Sequence, residues 1–178
     1  MERRARVMDA HNLREHGYRT VRLGISMPIR GNGSVARCAV GIGLKARIAK
    51  ALDFEGDVIF TSGATEAINQ ALRCVPRAEG KEGIAFSAIE HSAVVNAAVA
   101  TGAELQELPV SPEGLVDPEV EFAVATGLVA VMQVNNEIGT IQPVAEIARR
   151  CRARGVLVHT DAVQAAGRLP LDVGALDV

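Results

Sequence analysis

"GLVAVMQV", residues 127–134, is the stretch on which the fold turns. It reads as a continuous apolar run, and it leads directly into "NNEIG", residues 135–139. A strand apolar on both faces needs cover on both, which is typical of central strands in parallel sheets. On either side of it, short apolar runs alternate with helix-like segments. "DVIFT" (57–61) reads as a strand, and "TEAINQALRC" (65–74) as a helix with Ala67, Ala71 and Cys74 on one face. "GIAFS" (83–87) is the next strand, followed by the helix "HSAVVNAAVAT" (91–101), closed by Gly102. "AELQELPV" (103–110) is a strand stopped by "SPEG", and "PEVEFAVA" (118–125) reads as helical. "PVAEIARRCRARG" (143–155) is a helix with Pro143 in its first turn and Gly155 beyond its end. Residues 155–158, "GVLV", form a buried strand, and "AVQAAG" (162–167) begins another helix. The alternation gives an α/β fold, a mainly parallel sheet with helices on both faces. "LKARIAKALD" (44–53) is one clear helix, and before it the pattern is poor.

The totals narrow the function. A chain of 178 residues that is 48% hydrophobic can build one domain with a real core. A net charge of −2 argues against nucleic acid or a membrane surface as partner. No apolar run is long enough for a membrane span, and the opening "MERRARVMDAHNLREHG" has no apolar signal region. Charge is unevenly placed: residues 1–50 hold 11 Lys/Arg against 3 Asp/Glu, whereas residues 51–178 hold 8 against 18. Cys38, Cys74 and Cys151 are odd in number and widely spaced, so they make neither a disulfide framework nor a metal motif. The expected setting is a reducing cytoplasm. The histidines have no ligand spacing to the cysteines or to each other, so no metal is expected. There is no hydrolase elbow and no Walker loop.

Ligands of such sheets bind where the strands end at their carboxyl edge. Four ends carry polar residues: "TSGATE", "AIEH", "NNEIG" and "DAVQ". In the first, Ser62 or Thr65 can cap a helix, while free amides and the helix dipole suit an anion. His91 is either a solvated residue at a helix start or an imidazole that stacks on a planar ring and moves protons near neutral pH. Asn135 and Asn136 are either turn residues or donors to a ligand oxygen. Asp161 is either a helix N-cap or the carboxylate that keeps a cofactor's ring nitrogen protonated. Gln164, one helical turn on, can approach the same ligand.

Together, "FTSGATEA", "EHSAVVNA", "VNNEIGTIQPVAEIARRCRARG" and "VHTDAVQAAGRLPLDV" resemble the pyridoxal-phosphate-dependent cysteine desulfurases of the NifS/IscS type, within the class V aminotransferases. The match runs from about residue 55 to the end, roughly 70% of the chain. The resemblance implies a partial large domain of a fold-type I transferase over residues 44–178, preceded by an atypical Arg/Gly-rich segment, 1–43. It implies pyridoxal 5'-phosphate as cofactor, with Ala64 and Thr65 on its phosphate, His91 over its ring as the catalytic proton carrier, Asn136 and Gln164 near its phenolic oxygen, and Asp161 on its ring nitrogen. It also implies L-cysteine as substrate, converted to L-alanine while sulfur passes to a protein cysteine as persulfide, for iron–sulfur or thio-cofactor assembly. A sulfur-acceptor protein and a dimer with a full-length homologue are the partners it implies.

The departures from the family are equally informative. Its cofactor-anchoring lysine lies in a Ser-x-His-Lys motif, before which this chain stops; Lys45, Lys50 and Lys81 match nothing of that kind. The family's persulfide cysteine and substrate-carboxylate arginine lie further on, so Cys38, Cys74 and Cys151 are not cast in such roles. The family's Asp-Asn/Ser-Ala-Thr-Thr-Pro-like opening is absent, and "GNGSVARCAVGIGLKARIAKAL" only loosely resembles its Gly-Asn-Pro-Ser segment and helix. The expectation is an incomplete, inactive portion of a desulfurase. The rival readings are a degenerate, non-catalytic paralogue or interaction fragment, and another class V aminotransferase or lyase.

Overall fold

The structure, a computed structural model, describes residues 45–54, 58–74, 78, 80–176 and 178. After helical residues 45–51 come α1 (Ala64–Cys74), β1 (Gly83–Ser87), α2 (Ser92–Val99), β2 (Leu105–Leu108), β3 (Thr126–Ala130), α3 (Val144–Ala153), β4 (Leu157–His159) and α4 (Val173–Leu176). The strands form one parallel sheet in the order β2-β1-β3-β4. The central strands β1 and β3 are buried at every residue.

Alternate residues of a strand face opposite sides, and the core divides accordingly. Ile84 and Phe86 of β1 join Leu128 and Ala130 of β3 on one face, under Ile68 and Leu72 of α1 and Val94 and Ala97 of α2. Ala85 and Val129 face the other way, toward Val144, Ile147 and Cys151 of α3. This division follows from chirality. The unit β1-α2-β2 steps one way across the sheet and β3-α3-β4 steps the other. Right-handed crossovers in opposite directions put their helices on opposite faces. The order therefore reverses between β1 and β3, and there the two loops at the carboxyl edge part company.

Several expectations hold in detail. Residues 83–87 form β1, and the helix expected at 143–155 runs Val144–Ala153. That helix ends in a paired turn: Gly155 N donates to the Arg152 carbonyl at 3.0 Å and Val156 N to the Cys151 carbonyl at 2.9 Å. Gly155 sits at φ 65°, which a residue with a Cβ adopts at a cost, while buried Val156 follows buried Cys151 into the core.

Other expectations fail, each for a physical reason. Residues 58–61, the described part of the strand expected at 57–61, join no ladder, and no segment among the described residues offers them backbone partners. Only three of the four polar ends therefore belong to the sheet. Residues 118–125 are not helical. Their backbone bonds to side chains instead: Gln106 takes the Glu121 carbonyl (3.0 Å) and the Ala123 amide (2.9 Å). Arg150 takes the carbonyls of Pro118 and, at 3.1 Å, Val120. Phe122 is thereby drawn into the core, with the Arg154 guanidinium 4.3 Å from its ring centre. The helix expected from "AVQAAG" is one turn, with Ala165 N and Ala166 N both on the Ala162 carbonyl, and it stops at Gly167 with φ 77°. The strand expected to be buried at 155–158 is the edge strand β4, with Leu157 39% exposed. Cys74 lies outside the buried stripe of α1, which is Ala67, Ile68, Ala71 and Leu72. The segment 1–43 lies outside the described residues.

The turn at Gly155 gives a first test. Gly155→Ala is expected to lower the unfolding free energy by about 1 kcal/mol, because an L-residue is strained in the left-handed region. A urea denaturation midpoint equal to that of the unaltered chain would refute the assignment.

Candidate functional site

At the start of α1, the Glu66 carboxylate folds back to accept from the Ser62 amide (2.7 Å) and hydroxyl (2.6 Å). These bonds hold its pKa below the usual carboxylate range. Neither Ser62 nor Thr65 caps the helix by its own oxygen. The first amide to close a helical turn is Ala67 N, on the Gly63 carbonyl. The amides of Ala64 and Thr65 consequently have no partner among the described residues, which suits them to an anion. Ala64 packs against the same core cluster as Ala93, in the first turn of α2, so one apolar cluster seats both helix starts.

His91 is the N-cap of α2. Its Nδ1 accepts from the Ala93 amide at 3.1 Å, so in the neutral ring Nε2 carries the hydrogen. The ring is exposed. Of the two amides in "NNEIG", Asn135 builds the turn. Its Oδ1 accepts from Glu137 N (2.8 Å) and Ile138 N (2.9 Å), and its Nδ2 donates to the Ile89 carbonyl at 2.9 Å. Asn136 is exposed and has no such task.

Asp161 follows β4 at the same edge, and the Gln133 amide on its carbonyl (2.9 Å) extends the β3–β4 pairing to it. Its Oδ1 accepts from Val163 N at 2.9 Å, an Asx turn that fixes the carboxylate at the strand end. Gln164 is placed one turn on, as expected, but its Oε1 and its carbonyl both accept from Arg168.

Residues that sequence reasoning passed over complete the edge. Glu90 Oε1 accepts from the Ser87 hydroxyl (2.7 Å) and the Met132 amide (2.6 Å). Burial pushes its pKa from the usual 4.5 up to about 7, and Asp161 adds to the rise. Burial lowers His159 from 6.5 to about 4, against the pull of Asp161. Glu90 Oε2, Gln133 Oε1, His159 Nε2 and Thr160 Oγ1 are buried without a hydrogen-bond partner, all within a few residues of these strand ends. The signal that would have found Glu90 is the one that found Asp161, a carboxyl group just past an apolar strand. Among the described residues, no group of three or more His, Cys, Asp or Glu could hold a metal ion, and no helix is long and apolar enough to cross a membrane. A groove of about 660 Å³ beyond β2 is lined by Val110, Leu115, Val116 and Ile141, and none of the candidate residues borders it.

Glu90 and His159 oppose each other as pH changes. Between about pH 4.5 and 6.5 the folded chain holds an extra proton on Glu90, and the unfolded chain holds one on His159. Their slopes cancel, so these two groups leave stability flat there; from 6.5 to about 7 Glu90 alone makes it fall as pH rises. Glu90→Gln is expected to uncover the histidine, so that stability rises from pH 4 to 6.5 by about 1.4 kcal/mol per pH unit at most. A flat profile for the variant, in urea denaturations across that range, would contradict this account.

The chain matches the family described as aminotransferase class-V over residues 43–178. It is 44% identical over 130 residues to the mitochondrial cysteine desulfurase of Candida albicans, covering 68% of this chain and 27% of that protein. Among solved structures it resembles DndA from Streptomyces lividans, with a TM-score of 0.67 and 38% identity over 82% of this chain and 44% of that one. SspA in complex with cysteine superposes with a TM-score of 0.71 at 29% identity, over 83% of this chain and 46% of that one. The chain thus spans between a quarter and a half of the length of these proteins. The Candida relative is named mitochondrial, which overturns the cytoplasmic expectation. The expectation rested on unpaired thiols, and these report a reducing environment rather than the cytoplasm in particular.

Proposed function

The chain belongs to the aminotransferase class-V family, and on that premise we propose that its strand-end site serves pyridoxal-phosphate chemistry on L-cysteine, as in a cysteine desulfurase of the NifS type. Members of the family depend on pyridoxal phosphate. The donors present suit that group: two unbonded amides at a helix start for a phosphate, an exposed imidazole, an exposed side-chain amide, and a carboxylate with Oδ2 still to spare. Gln164 fits through its other amide atom, since Arg168 occupies its Oε1 and leaves Nε2 to donate to a ligand oxygen. The observation that most supports the reading is Asp161, anchored by one oxygen at the carboxyl edge of the sheet.

When bound, pyridoxal phosphate supplies an electron sink for bond breaking at the α-carbon of an amino acid. The rest falls to the chain. The Ala64 and Thr65 amides and the dipole of α1 bind the phosphate. The Asp161 carboxylate accepts from the ring N–H and keeps that proton in place. His91 stacks on the ring and carries a proton at Nε2, while Nδ1 remains on Ala93. Asn136 donates to the phenolic oxygen.

The domain reading is part of the proposal, with residues 44–178 forming the cofactor-binding portion and 1–43 a separate segment. So are the persulfide product, its transfer to an acceptor protein in iron–sulfur or thio-cofactor assembly, and pairing with a full-length homologue. None of the 178 residues forms a Ser-x-His-Lys motif, so binding to this chain is expected to be non-covalent.

An absorbance titration of the purified chain with pyridoxal phosphate tests the site. Binding should be reversible by dialysis, and Asp161→Asn should weaken it about tenfold, near 1.4 kcal/mol, through loss of the charged partner. Equal affinity for the two proteins would defeat the reading. Incubation with L-cysteine should release no alanine from this chain alone, and any turnover would show that another residue replaces the missing lysine.

A further inference from the structure

The loops after β1 and β3 exchange side chains across the point where the strand order reverses. Beyond Ala130, the Val131 amide donates to the His159 carbonyl (3.0 Å) and the Gln133 amide to the Asp161 carbonyl (2.9 Å), so both serve the β4 side. The Met132 amide between them faces the β1 side, and there β1 has ended at Ser87. The missing ladder carbonyl is replaced by Glu90, whose Oε1 accepts from Met132 N at 2.6 Å and from Ser87 Oγ at 2.7 Å. In return Asn135 donates from beyond β3 to the Ile89 carbonyl at 2.9 Å. Ala88 N bonds the Leu108 carbonyl (2.9 Å) and Glu90 N the Ser87 carbonyl (3.1 Å). Every residue from Ala88 to Glu90 is therefore held, and the next residue is His91, at φ −60° and ψ 143°.

We infer that Glu90 is a positioning residue for His91: by bonding Met132 N and Ser87 Oγ, its carboxyl group fixes the β1–α2 loop and so sets the imidazole at the carboxyl edge of the sheet. Its buried environment suits a neutral acid, with Oε1 as acceptor and Oε2 carrying the hydrogen. Glutamine reproduces that pattern of one acceptor and one donor; alanine removes it. The value of a placed His91 to a cofactor rests on the pyridoxal-phosphate reading, whereas the clamp itself does not.

The test therefore begins without cofactor. In heteronuclear NMR of the purified chain, Glu90→Ala is expected to move the His91 ring resonances and to lose the Ala93 amide's protection from exchange, whereas Glu90→Gln leaves both as they were. Ser87→Ala, which removes one of the two anchors and serves if the alanine variant at 90 does not fold, should shift them in the same direction by less. Unmoved His91 resonances in Glu90→Ala or in Ser87→Ala would overturn the inference, as would a glutamine variant that behaves like the alanine one. A pyridoxal phosphate titration follows. Glu90→Ala should weaken binding about tenfold, the loss expected of one buried anchor, and Glu90→Gln by less than about twofold. Equal affinity of Glu90→Ala and the unaltered chain would count against the role in placing His91. If the unaltered chain binds no cofactor while the resonances respond as expected, the cofactor reading fails and the clamp stands.

Discussion

β3 sets the constraint from which the rest of the structure follows. All five of its residues are buried, and Val131, Met132 and Gln133 continue the burial. Water cannot reach its amides and carbonyls, so each must find a partner in the plane of the sheet. β1 supplies partners on one side and β4 on the other, while β2 pairs beyond β1, so the two crossovers step in opposite directions and the strand order reverses between β1 and β3. A crevice at the carboxyl edge is the geometric result. Its floor is held by side chains because the backbone has already turned away: Glu90 stands in for a carbonyl of β1, and Asn135 closes the loop from the other direction.

The same burial tunes the charges there. Two strand-end groups, Glu90 and His159, are shifted toward their neutral forms by loss of water. Asp161 raises the pKa of both, opposing burial at the histidine and reinforcing it at the glutamate. Among the described residues, His159 is held neutral by its burial and offers Asp161 no charge to pair with. A cation brought to its free oxygen would meet a carboxylate that forms no ion pair among the described residues. An apolar, parallel core thus prepares one negative site at the place where the fold opens.

What was legible in the sequence divides along physical lines. β1 and β3 were, because runs buried on both faces leave an unbroken apolar pattern that needs no knowledge of the partner strand. α1 and α3 were, through their 3.6-residue periodicity and, in α3, its Pro143 and Gly155 boundaries. Residues 118–125 misled because helix propensity is weak beside tertiary bonding. Their backbone groups were claimed by Gln106 and Arg150 from elsewhere in the chain, and nothing local announces that. Residues 58–61 have a strand's composition, but composition cannot supply a neighbour to pair with. In the candidate site, Asp161, His91 and Glu90 all stand at strand ends, but the task of Glu90 was not legible, since it meets an amide 42 residues away.

The alternatives that the sequence left open at each site residue are not exclusive once atoms rather than residues are counted. Asp161 does form the local turn expected of a residue heading a helix, but with Oδ1 alone, and a carboxylate offers about four acceptor positions. His91 does cap α2, but with Nδ1, which leaves Nε2–H for other work and fixes the tautomer that provides it. In "NNEIG" the two duties are split between neighbours, Asn135 folding the turn and Asn136 remaining exposed. Structural use of one atom is what orients the other. A carboxylate or imidazole without its local bond would be free to rotate, and ordering it on binding would cost side-chain entropy. Gln164 follows the same logic: its Oε1 is engaged by Arg168, which leaves the Nε2 amide to donate to a ligand oxygen.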